Sequence, residues 1–392
     1  MNVSINNKNC RLGIIMNGVT GRMGTNQHLI RSIIAIINQG GICDDKGRCI
    51  MPEPILVGRN KEKLKKLAEA SGCNNFTTSL EDLLKDTEYQ VYFDAQITTL
   101  RYDAIKAAIL SGKHIYCEKP SAVNLASALE LYNLAEKAGV KHGVVQDKLW
   151  LPGVQKLIKL RDSGFFGRIL SVKGDFGYWV FEGFTIPSQR PSWNYRKEEG
   201  GGIIIDMLCH WRYLLDNLFG EVKSVCCLGA NFIPERVDEF GSIYKCTSED
   251  AAYALFKLEG GLIAQFNSSW VSRIRRDDLL VIQVDGTKGS AVAGLRDVYV
   301  QDYDSTPKPV WNPDLPKTID YFEDWKPVYE EENYDNAFKI QWELFLRHVT
   351  WDDPYSWNLL EGAKGLQLAE AGHRSWKERR WIDLEELTEG SW

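Results

Sequence analysis

Two side chains four residues apart, Asp206 and His210, sit in the apolar run Ile203 to Trp211 that follows Gly200-Gly201-Gly202. A helix puts such a pair on one face. An imidazole that titrates near neutral pH can accept an alcohol's proton while hydride leaves the same carbon, and a nearby carboxylate can orient the ring or bind a second hydroxyl. A core helix with a satisfied histidine has the same pattern. The glycines favour chemistry because they indicate close backbone approach, and a polar pair in apolar surroundings needs polar company. Lys119, in Cys117-Glu118-Lys119-Pro120, ends an apolar run at a point where a lysine can reach a substrate hydroxyl. Pro120 stops the strand there, through a cis peptide if the turn needs one. A surface lysine at a loop start is the competing assignment.

A dinucleotide site is expected upstream. RLGIIMN leads into Gly18-Val19-Thr20-Gly21-Arg22-Met23-Gly24 and then a helical pattern. Backbone N–H groups and the positive end of a helix hold a pyrophosphate at such a turn. The spacing GxxGxxG departs from the commoner GxGxxG, so position in the first strand–helix unit carries the argument. Gly18, Thr20, Gly21, Arg22 and Met23 are the candidate contacts. At the end of the second strand the sequence has Gly58-Arg59-Asn60 and no acid. Arg59 suits adenine or a 2′-phosphate, whereas Asn60 suits a free ribose or simply caps the next helix. The expected cofactor is NAD, with NADP left open.

The elements that would hold these residues alternate over the first 150 positions. Short apolar runs (RLGIIMNG, PILVGR, YQVYFDAQ, KHIYCEKP, VKHGVVQD) are separated by helical patterns at about 24–38, 61–70, 101–111 and 122–138. This is the signature of a doubly wound α/β domain. The turn-rich stretch from Asn38 to Pro54 reads as a surface excursion without chemistry. Beyond residue 150 the period becomes two, with turns at Glu259-Gly260-Gly261 and Asp285-Gly286-Thr287, which predicts a mainly antiparallel open sheet. Helical patterns at 336–349 and 359–377 close the chain. The expected domains are 1–148 for dinucleotide and 149–392 for substrate and oligomerisation, the last helices packing back on the first domain.

Composition fits this assignment. With 392 residues, 44% apolar and 26% charged, the chain is long enough for two domains and unlike a disordered or fibrous protein. A formal charge of −6 with dispersed basic residues argues against a nucleic-acid partner. No apolar run is long enough to span a membrane, and the start lacks a signal peptide's layout, so the expectation is a cytoplasmic enzyme. Nine cysteines are scattered without an export signal, which predicts thiols rather than disulfides. Cys43 and Cys49 bracket DDKGR, but no second ligand pair follows and no metal is expected.

Together these residues resemble the Gfo/Idh/MocA oxidoreductases. The likeness rests on the glycine turn, on GKHIYCEKP and on GGGIIIDMLCHW, two motifs in the family's order about 90 residues apart. It implies a Rossmann domain joined to an open, mainly antiparallel α/β domain, with homo-oligomers forming across the sheet. Lys119 would polarise the reacting oxygen, His210 would be the base, and Asp206 would bind substrate and tune the histidine. Glu118, Gln96 and Thr98 would face the cofactor, although DAQITTL departs from the family's usual turn there. Lys148 and Trp150, and Trp193, Asn194 and Arg196 in RPSWNYR, are the candidate sugar contacts. Within the family the chain resembles glucoside 3-dehydrogenases, which implies oxidation of a ring hydroxyl at C3. A cyclitol dehydrogenase, a non-catalytic dinucleotide sensor and a structural assembly protein are the alternatives.

Overall fold

A computed structural model describes residues 9–387 apart from 277, 310, 317 and 330–332. The chain forms two compact units. One comprises residues 1–150, 335–367 and 386–392, and the other 151–334 and 368–385.

In the first unit the strands are β1 (Asn9–Asn17), β2 (Ile42–Cys43), β3 (Cys49–Val57), β4 (Phe76–Thr77), β5 (Tyr89–Asp94), β6 (His114–Cys117) and β7 (His142–Val144). They form one sheet in the order β2-β3-β1-β5-β6-β7, with β4 also on β3. Every pair is parallel except β2–β3. The connecting helices include α1, π-wound over Gly24–Ile34 and α-wound over Ala35–Asn38, then α2 (Lys61–Ser71), α3 (Leu80–Lys85), α4 (Thr98–Leu110) and α5 (Leu125–Ala138). Ile14, Met16, Leu56, Val91 and Phe93 of the strands pack with Leu29, Ile33 and Ile36 of α1. The helix α8 (Ala337–Trp351) adds Phe338, Trp342, Phe345 and Leu346 to the same core. Burial of such side chains, about 1.5–3 kcal/mol each, is what fixes the strand ends in place.

Two expectations need correction here. The stretch after α1 is an antiparallel hairpin, and strand two begins at Cys49 rather than Pro54. Pro52 and Pro54 are tolerated because their nitrogens face the side of β3 between the end of β2 and the start of β4, where no ladder bond is needed. The hairpin register puts Cys43 opposite Cys49, and the two are joined as a disulfide with Cα atoms 4.1 Å apart. Cysteine counting cannot see this, because the pairing depends on a hairpin hidden by prolines. The other seven cysteines are thiols.

The second unit opens with α6 (Pro152–Asp162) and is built on a nine-stranded sheet. Its strands are β8 (Ile169–Phe176), β9 (Val222–Ala230), β12 (Ala251–Leu258), β13 (Ile263–Ser269), β14 (Leu280–Gly286), β15 (Gly289–Ala293), β16 (Val298–Asp302), β17 (Lys326–Pro327) and β18 (Ile382–Asp383), with β10 (Glu235–Val237) and β11 (Ile243–Lys245) as a separate hairpin. The order is β17-β16-β15-β14-β8-β13-β12-β9-β18; β8 and β13 run parallel and the remaining pairs antiparallel. Along β12 the residues Ala252, Ala254, Phe256 and Leu258 are buried while Tyr253, Leu255 and Lys257 are exposed. The buried face is covered by α7 (Ile203–Leu218), which packs on β9, β12 and β13. The helix α9 (Leu359–Glu378) begins in the first unit and ends in the second.

Candidate active site

In the first unit the strand order reverses between β3-β1 and β1-β5, and a doubly wound sheet opens its ligand crevice at such a switch. Gly18 follows β1 at φ +79°, and a Cβ there would lie 2.6 Å from the backbone nitrogen of Gln96, which follows β5. Glycine is therefore imposed by the close approach of the two strand ends. Gly24 is equally confined, against Val19, whereas a Cβ on Gly21 would meet only Gly18 O at 3.6 Å, so the turn has one packed side and one open side. Thr20, Gly21 and Arg22 are exposed and Met23 half-buried. The first turn of α1 has no capping side chain and no acidic residue, and although the Thr25 N–H donates to Gly21 O at 2.8 Å, the positive end of the helix suits an anion. Gly58 lies beside Thr20, with 3.7 Å from its Cβ position to Thr20 Cγ2, so the ends of β1 and β3 meet.

Around the turn, Arg59 is exposed, and the Asn60 side chain accepts the Lys63 N–H at 3.0 Å, capping α2. The side chain of Gln96 has a buried Oε1 without a hydrogen-bond partner, an acceptor that a ligand amide would satisfy. Thr98 is buried at the start of α4. A dinucleotide fits these residues, since backbone donors, the close-approach glycine and the orphaned amide oxygen all gather at one sheet edge.

Lys119 is tied to that edge by a residue that pattern reading missed. Buried Arg101 donates to Asp94 Oδ1 at 3.1 Å, to Gln96 O at 2.5 Å and to Pro120 O. It thereby joins the loops after β5 and β6 across the cis Lys119-Pro120 peptide. Glu118 is buried and accepts from His28 Nε2 at 2.8 Å, and Trp342 Nε1 donates to His28 Nδ1 at 3.0 Å. Burial is the largest single influence on Glu118 and opposes its ionisation, but the His28 bond and the nearby charges, Lys119 and Arg101 among them, together outweigh it and hold the carboxyl below its usual range. Neither His28 nor Trp342 carries a local signal, because they come from α1 and α8. Lys148 and Trp150 lie in the 3₁₀ turn Asp147–Trp150 after β7, Lys148 Nζ 3.8 Å from Asp147. Trp150 meets Trp357 edge-on at 5.0 Å, and both indole nitrogens are buried without a hydrogen-bond partner, as is Gln146 Oε1.

In the second unit the helix α7 carries Asp206 and His210. It is anchored by Trp211, which donates to Ser268 Oγ at 3.0 Å and packs on Phe266 at 4.8 Å. The triple glycine does admit a close approach, to protein rather than ligand: Gly201 faces Asn194 O and Gly202, at φ +128°, faces Glu249. Glu249 Oε1 accepts the Ile204 N–H at 2.9 Å, acting as a cap from outside the helix, and burial pushes its carboxyl up to about 7. His210 is buried, and its Nδ1 is 2.7 Å from the hydroxyl of Tyr213, one turn further on. That bond fixes the orientation of the ring. Asp206 Oδ2 is 3.0 Å from Arg190 Nη1.

The aromatic stretch is divided in its contacts. Asn194 is buried, donates to Pro191 O at 2.9 Å and faces Arg190 at 3.4 Å. Arg196 pairs with Glu199 at 3.0 Å and lies over Tyr244 at 4.6 Å. Trp193 is half-buried. Arg190 and Tyr213 are thus polar neighbours of the Asp–His pair. The sequence shows both only as members of aromatic runs.

A glycine cradle at a parallel-sheet switch point and an imidazole–carboxylate helix define a dinucleotide-dependent oxidoreductase. Comparison with known proteins supplies the family. Residues 54–146 match the oxidoreductase family with an NAD-binding Rossmann fold, and residues 154–292 match the GFO/IDH/MocA C-terminal domain. The chain is 52% identical to D-xylose dehydrogenase of Paenarthrobacter nicotinovorans, covering 96% of this chain and 98% of that one. It is 26% identical to 1,5-anhydro-D-fructose reductase of Ensifer adhaerens over 60% of this chain and 66% of that one. Levoglucosan dehydrogenase in complex with NADH and levoglucosan shares the fold at a TM-score of 0.78 and 20% identity, over 96% of this chain and all of that one. The chain belongs to the Gfo/Idh/MocA oxidoreductase family and is an NAD-dependent sugar dehydrogenase.

Proposed function

We propose that the enzyme oxidises the anomeric hydroxyl of a free aldopyranose, D-xylose or a close analogue, to the lactone. Near-complete coverage by a D-xylose dehydrogenase at 52% identity carries this reading. It is supported by the chemistry of α7. His210 accepts the hydroxyl proton at Nε2, its ring held by Tyr213. Asp206 accepts hydrogen bonds from neighbouring sugar hydroxyls. Lys119, next to the Pro120 carbonyl that Arg101 holds, donates to the reacting oxygen and steadies its charge. Bound NAD, held by the glycine turn and the N-terminus of α1, supplies the hydride acceptor. Gly18, Thr20, Gly21, Arg22, Met23, Gly58, Arg59, Gln96, Thr98 and Glu118 line or support the dinucleotide site in this proposal. Trp150 and Trp193 offer faces to the sugar, and Lys148 a donor. Asn60, Asn194 and Arg196 act indirectly, since their side chains already hold a helix end, a turn and a salt bridge.

Oxidation at C3 of a glucoside is the second reading, favoured by the indoles of Trp150 and Trp357, whose unpartnered N–H groups suit a larger sugar. The two differ in one requirement, a free anomeric hydroxyl. D-xylose, D-glucose and their methyl β-glycosides are offered with NAD, and the products are weighed. Turnover of the free sugars alone, giving lactone or its acid, supports the first reading. A methyl glycoside that loses two hydrogens replaces it with the second, and activity on myo-inositol alone replaces both. We also propose a homo-oligomer through the open face of the large sheet, where Leu228, Tyr253, Leu255 and Ile263 are exposed.

A further inference from the structure

Arg190 sits outside α7, yet its side chain meets the carboxylate of the Asp–His pair. Its guanidinium lies over Trp270 at 4.8 Å and over Phe181 at 5.1 Å, so its plane is set by two aromatic faces. Such a slot suits arginine and not lysine. From it Nη1 reaches Asp206 Oδ2 at 3.0 Å, and Asn194 Oδ1, itself held by Pro191 O, stands 3.4 Å away. The side chains of the pair are about four-fifths buried, 17% and 19% exposed, so solvent screens their charges weakly. The Nε of Arg190 is buried without a hydrogen-bond partner, so the aromatic slot, and not a full set of hydrogen bonds, fixes the guanidinium.

Two groups on one helix face could in principle take the substrate's proton, Asp206 and His210. Asp206 is matched to a positive charge that aromatic packing fixes in place. We propose that Arg190 is a positioning residue that holds Asp206 ionised as a hydrogen-bond acceptor for substrate hydroxyls, and so confines proton uptake to His210. This rests on the roles given to Asp206 and His210 above. Other titratable groups around the start of α7 include Glu249 before β12, His373 of α9, 3.8 Å from Glu249, and Lys197 in the turn before the helix. None of these is a cation locked against Asp206 by aromatic packing.

Arg190→Met keeps an apolar stem in the slot and removes the charge, and Arg190→Lys keeps a charge without the planar fork. The carboxyl titration of Asp206 is followed by carbon NMR on aspartate-labelled protein, with Asp206→Asn giving the assignment. A carboxylate relieved of a neighbouring cation protonates about 1–3 pH units higher, so the Asp206 titration moves up by at least about one unit in Arg190→Met and by less in Arg190→Lys. With whichever sugar the wild type oxidises, kcat/KM at low pH falls further in Arg190→Met than in the wild type, because Asp206 protonates in addition to His210. The KM rises about a hundred-fold, the order expected when one partner of a buried charge pair is removed. The circular dichroism of both variants stays that of the wild type. An Asp206 titration that does not move in folded Arg190→Met overturns the proposal. The NMR result holds even if the sugar assignment fails, since it needs no turnover.

Discussion

At the scale of single residues, the proposed chemistry is divided between one imidazole, one carboxylate and one ammonium. Removing the base tests the first. His210→Ala is expected to lower kcat by about 10²–10⁴-fold while NAD affinity is unchanged, as read by steady-state kinetics and fluorescence titration. Tyr213→Phe removes one hydrogen bond to the ring, worth about 1 kcal/mol, and should cost roughly five-fold in kcat. Equal losses in both variants would mean that Tyr213 does more than orient the ring. Glu249 gives a pH dependence. Its carboxyl ordinarily titrates at 4.5, and burial raises that to about 7 in the folded protein. The folded state therefore binds this proton more readily than the unfolded state, and stability is lost as pH rises from about 4.5 through about 7. Glu249→Gln keeps an acceptor for Ile204 and should gain about 2–4 kcal/mol over the wild type at pH 8 and little at pH 5, by urea unfolding. His373, lowered to about 4 by burial, works in the opposite direction and loses stability as pH falls below 6.5, so the variant must be compared with the wild type at each pH.

At the scale of elements, the sequence is most informative where a local rule governs. The glycine turn, the ends of β5 and β6, and α7 are legible because strand-to-helix turns and helical periodicity are local properties. The Asp206–His210 face follows from spacing alone. What supports these residues is not legible, because it is contributed from far along the chain. His28 meets Glu118 across 90 residues, Trp342 reaches His28 across 314, and Glu249 caps α7 from before β12. The hairpin β2–β3 is hidden for a related reason: prolines normally argue against a strand, and only the gap between β2 and β4 makes Pro52 and Pro54 acceptable. The Cys43–Cys49 bridge closes a short loop remote from the residues assigned to chemistry. Replacing both cysteines by serine should cost at most about 2 kcal/mol and leave kcat/KM unaltered, as measured by thermal unfolding and kinetics. A large loss of activity would place the hairpin in the dinucleotide site.

At the scale of the whole molecule, two units of similar size are stabilised by different means, a parallel sheet covered on both faces and a nine-stranded sheet with one face open. An open face that presents leucine, isoleucine and tyrosine side by side is costly in water and is the basis for proposing a homo-oligomer. Leu255→Glu with Ile263→Glu should shift the mass in light scattering to a smaller species, without unfolding, and a mass unaffected by both charges would exclude that face. The family relationship and the helix that carries Asp206 and His210 meet in one claim, that hydride leaves the anomeric carbon of a free aldose. The most direct test uses D-xylose deuterated at C1. The account predicts a primary isotope effect on turnover and one deuterium in the reduced dinucleotide. Deuterium retained in the sugar product, with label-independent turnover, would contradict it.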